Sequence, residues 1–244
     1  IHDFIVQHRV TGCGFPTKMA ELMLEAYDLP VRYVITGGEK LNVLGRCHTT
    51  VINTYGPSEC TVDATYFPIE PENRYGEIPI GYAMPNSTCL VLDQYGHLLP
   101  QGVVGELCFV SPQVGYGYWK DEALTKQKFV PCPYLQGQVM YHTGDLVRWN
   151  ADGQLEYIGR IDNQVKLRGY RVELGEVEST AMQCEGITAA VAMVKNDALV
   201  LYYTTRDGKP LSSLKEQMAA STLPNYMQPS VYMHLESMPL TPNG

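Results

Sequence analysis

One stretch, residues 141–178, constrains the fold more than any other part of the chain: YHTGDLVRWNADGQLEYIGRIDNQVKLRGYRVELGEVE. Two segments of β-type residues meet at Asp152-Gly153, a dipeptide that strongly indicates a two-residue hairpin turn. Around this hairpin lie an exposed Thr-Gly-Asp turn at 143–145, an Arg-Ile-Asp corner at 160–162 and a basic strand end at 166–169. This arrangement predicts a surface that binds a polar phosphorylated ligand, beside a point where the chain changes direction.

Length and composition predict a folded chain with a packed core. Its 244 residues suffice for one large domain or two modest ones. Hydrophobic residues make up 45% and charged residues 18%, which argues against disorder. The net charge of −8 and the lack of a basic block argue against nucleic acid and anionic membranes as partners. No apolar run approaches the ~20 residues of a membrane span, so no membrane partner is expected.

The seven cysteines and six histidines are scattered along the chain. The number of cysteines is odd and no pair has C-x-x-C spacing, which favours reduced thiols and a cytoplasmic location over a disulfide framework or a zinc site. The histidines form no H-E-x-x-H pattern, so we interpret them as core or surface residues without a metal. The chain begins at Ile1 and stops at Gly244, and we interpret it as a fragment of a longer protein.

The first quarter of the chain, residues 1–63, has α/β character. A helical pattern begins at Pro16 and stops at Leu29-Pro30, and the first of two apolar strands follows at Val31 to Thr36. A brief helix is expected between the two strands, at Leu41 to Arg46. This alternation predicts a parallel sheet with crossover connections.

The predicted secondary structure changes twice after residue 63. Residues 64–158 contain short strands separated by turn residues, Thr88 to Leu92 and Gly105 to Val110 among them, which predicts a small antiparallel barrel or sheet. Residues 163–244 mix strands and helices, which predicts a compact α+β unit. The predicted fold class is therefore α/β and β: the end of a large α/β domain with a small antiparallel β-barrel, followed by a small α+β C-terminal domain.

A polar loop with the sequence NTYGPSE, residues 53–59, follows a predicted strand. Gly56 and Pro57 force a turn that exposes backbone amides and the Ser58 hydroxyl, and such a loop can hold phosphate oxygens. Glu59 supplies a hard carboxylate oxygen suited to Mg²⁺, and Tyr55 offers a ring on which a base can stack. By itself, a loop of this kind is more often an ordinary strand-to-helix turn.

Four further polar residues leave more than one role open. Ionised Asp145 can accept from both hydroxyls of a ribose, or it stabilises an Asx-type turn. Arg160 can donate two parallel hydrogen bonds to ribose or phosphate, or it can form a surface ion pair with Asp162. Asp162 is also a candidate hinge between two domains. Asp63 and Glu59 can act together as a general acid–base pair. Alternatively, one of the two carboxylates binds a metal and the other recognises a polar substrate, or Asp63 is simply a solvated residue at a strand end.

Six motifs, in order along nearly the whole chain, resemble those of the amino-acid adenylation domains of nonribosomal peptide synthetases, within the superfamily of acyl-CoA synthetases and luciferases. NTYGPSE resembles N-x-Y-G-P-[ST]-E, GELCFVSPQVGYGYW resembles G-E-L-x-I-x-G-x-G-[VL]-A-R-G-Y, and YHTGDL resembles Y-[RK]-T-G-D-L. GRIDNQVKLRGYRVELGEVE is similar along its length to G-R-x-D-x-Q-V-K-I-R-G-x-R-I-E-L-x-E-I-E, and LPNYMQP and PLTPNG resemble the last two motifs. The chain departs from the pattern at Ser111-Pro112, Tyr116 and His142.

The resemblance implies a nucleotide site that takes ATP and AMP, with Mg²⁺ held by Glu59. Tyr55 would stack on adenine, and Asp145 and Arg160 would bind the ribose. The nucleotide-binding residues that the resemblance implies are Gly38, Glu39, Tyr55, Gly56, Ser58, Asp145, Tyr157 and Arg160.

The resemblance also implies a mobile C-terminal domain. Asp162 would be its hinge, and Gly169 would lie beside the phosphopantetheine arm of a carrier. The catalytic lysine is expected just after Gly244, so no catalytic residue is assigned within the chain and the fragment is expected to be inactive alone.

The substrate side-chain pocket implied by the resemblance has six residues, namely Cys13, Ile35, Gly37, Thr54, Val62 and Asp63. Ile35, Gly37 and Val62 leave space for a long aliphatic stem. Asp63 would be a costly buried charge unless the substrate pairs with it. We therefore expect a substrate with a cationic or amide end: arginine, ornithine, lysine or glutamine.

The implied activity has two half-reactions. An amino acid and MgATP give aminoacyl-AMP and pyrophosphate, and the aminoacyl group then passes to the phosphopantetheine thiol of a peptidyl carrier domain, with neighbouring synthetase domains as further partners. Residues 1–161 would end the large core domain, and residues 162–244 would form the small domain. The alternatives are a D-alanine–carrier protein ligase, an acyl-CoA synthetase, or a non-catalytic module that docks a carrier domain.

Overall fold

The computed structural model describes residues 1–42, 48–70, 77–162, 164–167 and 169–239. They form two compact units, Ile1–Ile161 and Asp162–Gly244. Within the described ranges, no helix combines the length and the apolar character needed to cross a membrane.

The first sheet of the first unit has five strands, and each strand pairs with the strands that precede and follow it in the chain. The first three strands run parallel, as the sequence predicts, and the last two are antiparallel. Its strands and helices are α1 (His2–Gln7), β1 (Gly12–Pro16), α2 (Thr17–Ala26), β2 (Tyr33–Gly37), β3 (Thr50–Tyr55), β4 (Thr65–Ile69) and β5 (Tyr82–Ala83). The helix expected at 41–46 lies largely outside the described residues.

Helices α1 and α2 cover one face of this sheet. Ala20, Met23 and Leu24 of α2 are buried against Val34 and Val51 of the strands, whereas the other face leaves side chains of β2 exposed. Burial on a single face explains the alternation of buried and exposed residues along β2. The start of the predicted β-barrel at residue 64 is therefore wrong, because β4 and β5 complete the first sheet.

The second sheet of this unit is antiparallel, with the order β10-β9-β7-β6 and with β8 paired to β9. Its elements are β6 (Thr88–Leu92), β7 (Gly105–Val110), α3 (Glu122–Lys128), β8 (Phe129–Pro131), β9 (Val139–Trp149) and β10 (Leu155–Arg160). Among the described residues, β6 and β10 are not paired with each other, so of the predicted antiparallel barrel or sheet the structure forms the open sheet.

Apolar side chains cover both faces of the second sheet, which explains why it does not need to close. Cys89 and Val91 belong to one buried cluster, whereas Leu90 and Leu92 of the same strand belong to another on the opposite face. A strand buried on both faces reads as a continuous apolar run, and sequence alone does not distinguish that run from a barrel strand.

The second unit has its own core. A hairpin of β11 and β12 precedes helix α4, and a three-stranded sheet has the order β13-β14-β15 with β14 and β15 parallel. The α4 residues Leu174, Val177 and Ala181 are buried, as their spacing predicts. The elements are β11 (Gln164–Leu167), β12 (Tyr170–Glu173), α4 (Leu174–Met182), β13 (Ile187–Lys195), β14 (Ala198–Thr205), α5 (Leu214–Ala219) and β15 (Val231–His234).

Candidate functional site

Three residues that are far apart in sequence are in direct contact in the first unit: Tyr55, Asp145 and Arg160. The Tyr55 hydroxyl donates a short hydrogen bond to Oδ2 of Asp145. Arg160 Nη1 lies 2.8 Å from Oδ1 of the same carboxylate. Tyr55 and Arg160 are the last residues of β3 and β10, and Asp145 lies inside β9, so the two sheets of the first unit meet at this polar cluster.

The electrostatics of this cluster depend on its burial. Only 11% of the Arg160 side chain and 4% of the Asp145 side chain are exposed, so the two opposite charges compensate each other away from water. Burial, followed by the charge of Asp145 and the hydrogen bond to it, raises the pKa of Tyr55 well above its usual value. Tyr55 therefore remains a neutral hydrogen-bond donor, and Asp145 remains an acceptor.

Residues 143–145 are buried and lie inside β9, so the predicted exposed turn between two strands is wrong. Thr143 and Asp145 are 1% and 3% exposed. The strand accommodates a local irregularity at Gly144, whose φ is +74°, opposite a register shift between Glu106 and Cys108. Glycine adopts this conformation without the cost that a Cβ would add.

Hydrogen bonds fix the irregular part of β9 and thereby orient Asp145. The Thr143 hydroxyl donates to the Leu107 carbonyl at 2.7 Å and accepts from the Asp145 amide at 3.0 Å. The Gly144 amide donates to Glu106 Oε1 at 2.9 Å, and the Ile161 amide donates to the Gly144 carbonyl at 2.9 Å. Contacts with β7 and with Ile161, just after β10, therefore hold this part of β9 in place. The spacing of residues along the sequence does not reveal these contacts.

Tyr157 extends the cluster on its apolar side. Its ring centroid lies 6.4 Å from that of Tyr55, with the two ring planes inclined at 43°. Both rings pack in the buried cluster that includes Phe109 and Tyr141. Tyr55 and Tyr157, which the resemblance implies for one site, are therefore neighbours, and Tyr55 is 6% exposed.

The loop at 53–59 is held by a close backbone approach at Gly56. A Cβ at this position would lie 1.4 Å from the Val62 carbonyl oxygen, a distance that no side chain allows. The Ala64 amide donates to the Tyr55 carbonyl at 2.7 Å and closes the loop. Ser58 begins a short 3-10 helix, Ser58–Cys60, and is exposed, so its hydroxyl is available to an anion.

Glu59 is half-buried beside a tyrosine that the sequence reasoning did not single out. The Tyr118 hydroxyl donates to Glu59 Oε1 at 2.7 Å and lies 3.2 Å from the Tyr141 hydroxyl. The Gly115 amide donates to the Glu59 carbonyl at 2.8 Å. A positioned carboxylate is the hard oxygen donor that Mg²⁺ takes from proteins, so the chemistry of this residue fits the predicted ion.

The carboxyl end of β2 carries Gly37, Gly38 and Glu39. A Cβ at Gly37 would lie 2.3 Å from the Thr54 carbonyl oxygen, and Gly38 has a φ of +100°. The buried Thr17 hydroxyl donates to the Gly37 carbonyl at 3.0 Å and holds this turn against α2. Sequence reasoning missed Thr17, although a threonine at the first position of a helix is a recognisable polar contact.

The pocket residues lie on two faces of the first sheet. Gly37 is paired with Thr54, and it lies two residues after Ile35 on β2, so these three side-chain positions share one face. Cys13 is paired with Val34 and packs against the buried cluster on the other face. The structure therefore does not bring Cys13 together with the rest of the predicted pocket.

Val62 and Asp63 lie in the turn before β4 and not in a strand. Val62 has a φ of +74° and is 66% exposed, and Asp63 is half-buried. In the second unit, Asp162 is exposed and its Oδ1 accepts from the Gln164 amide at 3.2 Å. Gly169 is exposed in the connection between β11 and β12, with a φ of +79°.

Comparison with known proteins decides the family. Residues 1–119 match the family described as AMP-binding enzyme. The chain is 45% identical over 259 residues to gramicidin S synthase 2 of Brevibacillus brevis, which covers all of this chain and 6% of that protein. It is 39% identical over 248 residues to surfactin synthase subunit 1 of Bacillus subtilis (strain 168), which covers all of this chain and 7% of that protein.

The chain belongs to the adenylation domains of nonribosomal peptide synthetases. Solved structures agree with this family. The adenylation-domain chain superposes on IdnL1 with a TM-score of 0.84 and 29% identity, covering 97% of this chain and 53% of that one. It superposes equally well, with a TM-score of 0.84 and 26% identity, on PA1221, an NRPS protein containing adenylation and PCP domains, of which it covers 44%. The resemblance inferred from the six motifs is therefore confirmed, and so is the broad α/β fold class.

Proposed function

We propose that this chain is the nucleotide-binding part of a domain that converts an amino acid and MgATP to aminoacyl-AMP and pyrophosphate, and then transfers the aminoacyl group to a phosphopantetheine thiol on a carrier domain. The contact among Tyr55, Asp145 and Arg160 carries the proposal, because it joins the phosphate loop, the Thr-Gly-Asp segment and the corner after β10. A shared position for three separate motifs is what a single nucleotide site requires.

The nucleotide roles follow from the donors and acceptors at this point. Asp145 would accept from the ribose hydroxyls, because each carboxylate oxygen keeps a lone pair beyond its present contact. Arg160 would donate to the ribose or phosphate, and Tyr55 and Tyr157 would flank the adenine. Gly38 and Glu39 would border the base through their backbone atoms, as the end of β2 offers its carbonyl and amide groups.

The phosphate roles belong to the loop at 53–59. Its amides at Gly56 and the exposed Ser58 hydroxyl would contact phosphate oxygens. Glu59, positioned by Tyr118, would hold Mg²⁺, which neutralises the charge that develops as pyrophosphate leaves. Catalysis by this half of the site would consist of positioning and charge neutralisation.

The substrate would be an amino acid with a cationic or amide side chain: arginine, ornithine, lysine or glutamine. Ile35, Gly37 and Thr54 would line the stem of the pocket from one face of the sheet. Asp63 is half-buried in the turn before β4. Its carboxylate would pair with the cationic or amide end of the substrate side chain, because a buried charge is costly without a partner. Val62 would complete the pocket.

The two compact units would have separate tasks. Residues 1–161 would be the C-terminal part of the large adenylation core, and residues 162–244 the small mobile domain. Asp162 would be the hinge, since it is the first residue of the second unit, and Gly169 would approach the phosphopantetheine arm. A peptidyl carrier domain and neighbouring synthetase domains would be the partners.

Nucleotide binding by the chain itself tests the proposal. The measurement is displacement of a fluorescent AMP analogue by AMP, for the parent chain and for Asp145→Asn. The matched control is Glu156→Gln, which removes the exposed partner of Arg148 on the same two strands. We expect Asp145→Asn to weaken binding at least tenfold and Glu156→Gln to leave it unchanged. Equal binding by all three proteins would contradict the nucleotide site.

Pyrophosphate exchange separates the enzyme from the alternatives. The chain spans about half of a solved adenylation-domain structure, so we expect no exchange by the chain alone. In the complete domain, we expect exchange with arginine, ornithine, lysine or glutamine and transfer to a carrier thiol. A preference for valine, leucine or phenylalanine would refute the Asp63 assignment. Activation of D-alanine alone, transfer to free coenzyme A, or a complete lack of exchange would favour the D-alanine ligase, the acyl-CoA synthetase or the docking module.

A further inference from the structure

Three metal-ligating side chains of different chemistry meet on one face of the β7–β9 ladder: Glu106, Cys108 and His142. Cys108 and His142 are direct partners in the strand register. His142 Nδ1 lies 2.9 Å from Glu106 Oε2 and 3.3 Å from Cys108 Sγ, and one potential ligand atom from each residue lies within 4.8 Å of the other two. Cys108 packs in the cluster on the sheet face opposite Tyr55 and Tyr141, so this trio is separate from the nucleotide cluster.

The distances suit a tetrahedral transition-metal ion. Zinc bonds of about 2.0–2.3 Å to nitrogen, oxygen and sulfur place neighbouring ligand atoms roughly 3.3–3.5 Å apart at tetrahedral angles. The observed separations of 2.9 and 3.3 Å from His142 Nδ1 differ from that spacing by a few tenths of an ångström.

The surroundings of the trio orient one ligand in advance. The Gly144 amide donates to Glu106 Oε1, which directs Oε2 of the same carboxylate toward His142. Cys108 is fully buried, whereas 19% of the Glu106 side chain and 26% of the His142 side chain are exposed. The trio therefore has a buried sulfur end and an opening to solvent at its oxygen and nitrogen end.

The donor set selects for one class of ion. Imidazole and thiolate favour zinc and other borderline transition metals over Mg²⁺ and Ca²⁺, which prefer oxygen. A carboxylate and a thiolate together neutralise a divalent cation, so the occupied site would carry no net charge. Three protein ligands leave the fourth position to water, as in an open zinc site.

We propose that Glu106, Cys108 and His142 form a binding site for one Zn²⁺ ion, with water as the fourth ligand. The thiol loses its proton to solvent as the sulfur binds the ion, and no redox change is involved. Cys132 belongs to the same apolar cluster but lies outside the trio.

Zinc titration of the full chain under reducing conditions tests this site, with a competing chromophoric chelator as the readout. We expect one Zn²⁺ per chain with a Kd of about 1 μM or tighter. His142→Arg keeps a hydrogen-bond donor for Glu106 but provides no metal ligand, and Cys108→Ser removes the sulfur. Each should weaken binding at least tenfold, whereas Cys132→Ser, the matched buried control, should bind like the parent.

Cobalt substitution identifies the ligands directly and does not depend on the nucleotide proposal. We expect Co²⁺ to produce a thiolate-to-cobalt charge-transfer band that is absent from Cys108→Ser and present in Cys132→Ser. If Cys108→Ser does not fold, as circular dichroism would show, His142→Arg decides by itself. Parent protein that binds no Zn²⁺ below about 100 μM, or a His142→Arg variant that binds as tightly as the parent, would overturn the site and leave an ordinary hydrogen bond between Glu106 and His142.

Discussion

At the scale of single residues, the buried pair of Asp145 and Arg160 has the largest expected effect on both stability and binding. Asp145→Asn keeps the shape of the side chain and an acceptor for Tyr55, but it removes the negative charge that contacts the buried guanidinium of Arg160. Loss of one partner from a buried pair costs about 3–5 kcal/mol, and the small exposure of Arg160 favours the lower end of that range. Urea denaturation should show a decrease of about 3 kcal/mol in the free energy of unfolding.

The exposed pair of Arg148 and Glu156 is the control for this prediction, because it joins the same strands, β9 and β10. Side-chain exposures of 44% and 25% place it largely in solvent, where a pair contributes only about 0–1 kcal/mol. Glu156→Gln should therefore change the free energy of unfolding by less than about 1 kcal/mol. Equal effects of the two substitutions would mean that the Asp145 pair is not buried in solution.

Gly56 provides a second prediction at this scale, because its neighbourhood has no room for a side chain. Gly56→Ala would place a Cβ 1.4 Å from the Val62 carbonyl oxygen, so the loop at 53–59 would have to move. Overpacking of this kind costs at least about 1–3 kcal/mol, and AMP binding should fall with it. The measurements are thermal unfolding and AMP displacement.

The matching control is Gly175→Ala in α4, where a Cβ would meet no atom within 4 Å. Alanine in a helix is favoured over glycine by up to about 1 kcal/mol, so this variant should be slightly more stable than the parent. A Gly56→Ala protein as stable as the parent would show that the loop has a different conformation in solution.

At the scale of elements, strand β9 matters most, because its residue Asp145 joins the second sheet to Tyr55 of the first sheet. Thr143 is buried there and satisfies two backbone groups, the Leu107 carbonyl and the Asp145 amide. Thr143→Val keeps the shape and leaves both groups without a partner, at a cost of about 1–3 kcal/mol each. We expect a lower melting temperature and weaker AMP binding.

Thr143→Ser retains the hydroxyl and serves as the control. It should preserve AMP binding and lose only the stability that the missing methyl group contributes, about 1 kcal/mol. If Val and Ser at this position weaken AMP binding equally, the hydroxyl does not orient Asp145.

At the scale of the whole molecule, the chain has separate hydrophobic cores in its two compact units. Leu201 is fully buried on β14, the middle strand of the second unit's three-stranded sheet. Leu201→Ala should cost about 2–5 kcal/mol, and amide exchange should accelerate along β13, β14 and β15. Val191→Ala, on a side chain that is 44% exposed, should have little effect.

The strands β6 and β7 of the first unit are the internal reference for this experiment. Their exchange rates should not change in Leu201→Ala if each core stabilises its own unit. Equal acceleration in both units would show that the two units unfold as one cooperative structure.

Much of the fold could be predicted because local signals agreed with it. The bounds expected for Thr88–Leu92 and Gly105–Val110 are those of β6 and β7, since turn residues flank both runs. The predicted start of the antiparallel region at residue 64 was wrong because β4 pairs with β3 and β5 pairs with β4, and strand pairing is decided by contacts between distant residues. Cys13 was misplaced for a similar reason, since a shift of one residue along a strand moves a side chain to the opposite face.

The sequence by itself determined the family, the residue types of the proposed nucleotide site and most element bounds, because motifs, turn residues and hydrophobic periodicity are local properties of the chain. Only the tertiary structure decided that Asp145 lies inside a strand and contacts both Tyr55 and Arg160. It alone brought Glu106, Cys108 and His142 together across two strands. Hydrogen-bonded register and packing set these distances, and both arise between residues that are remote in sequence.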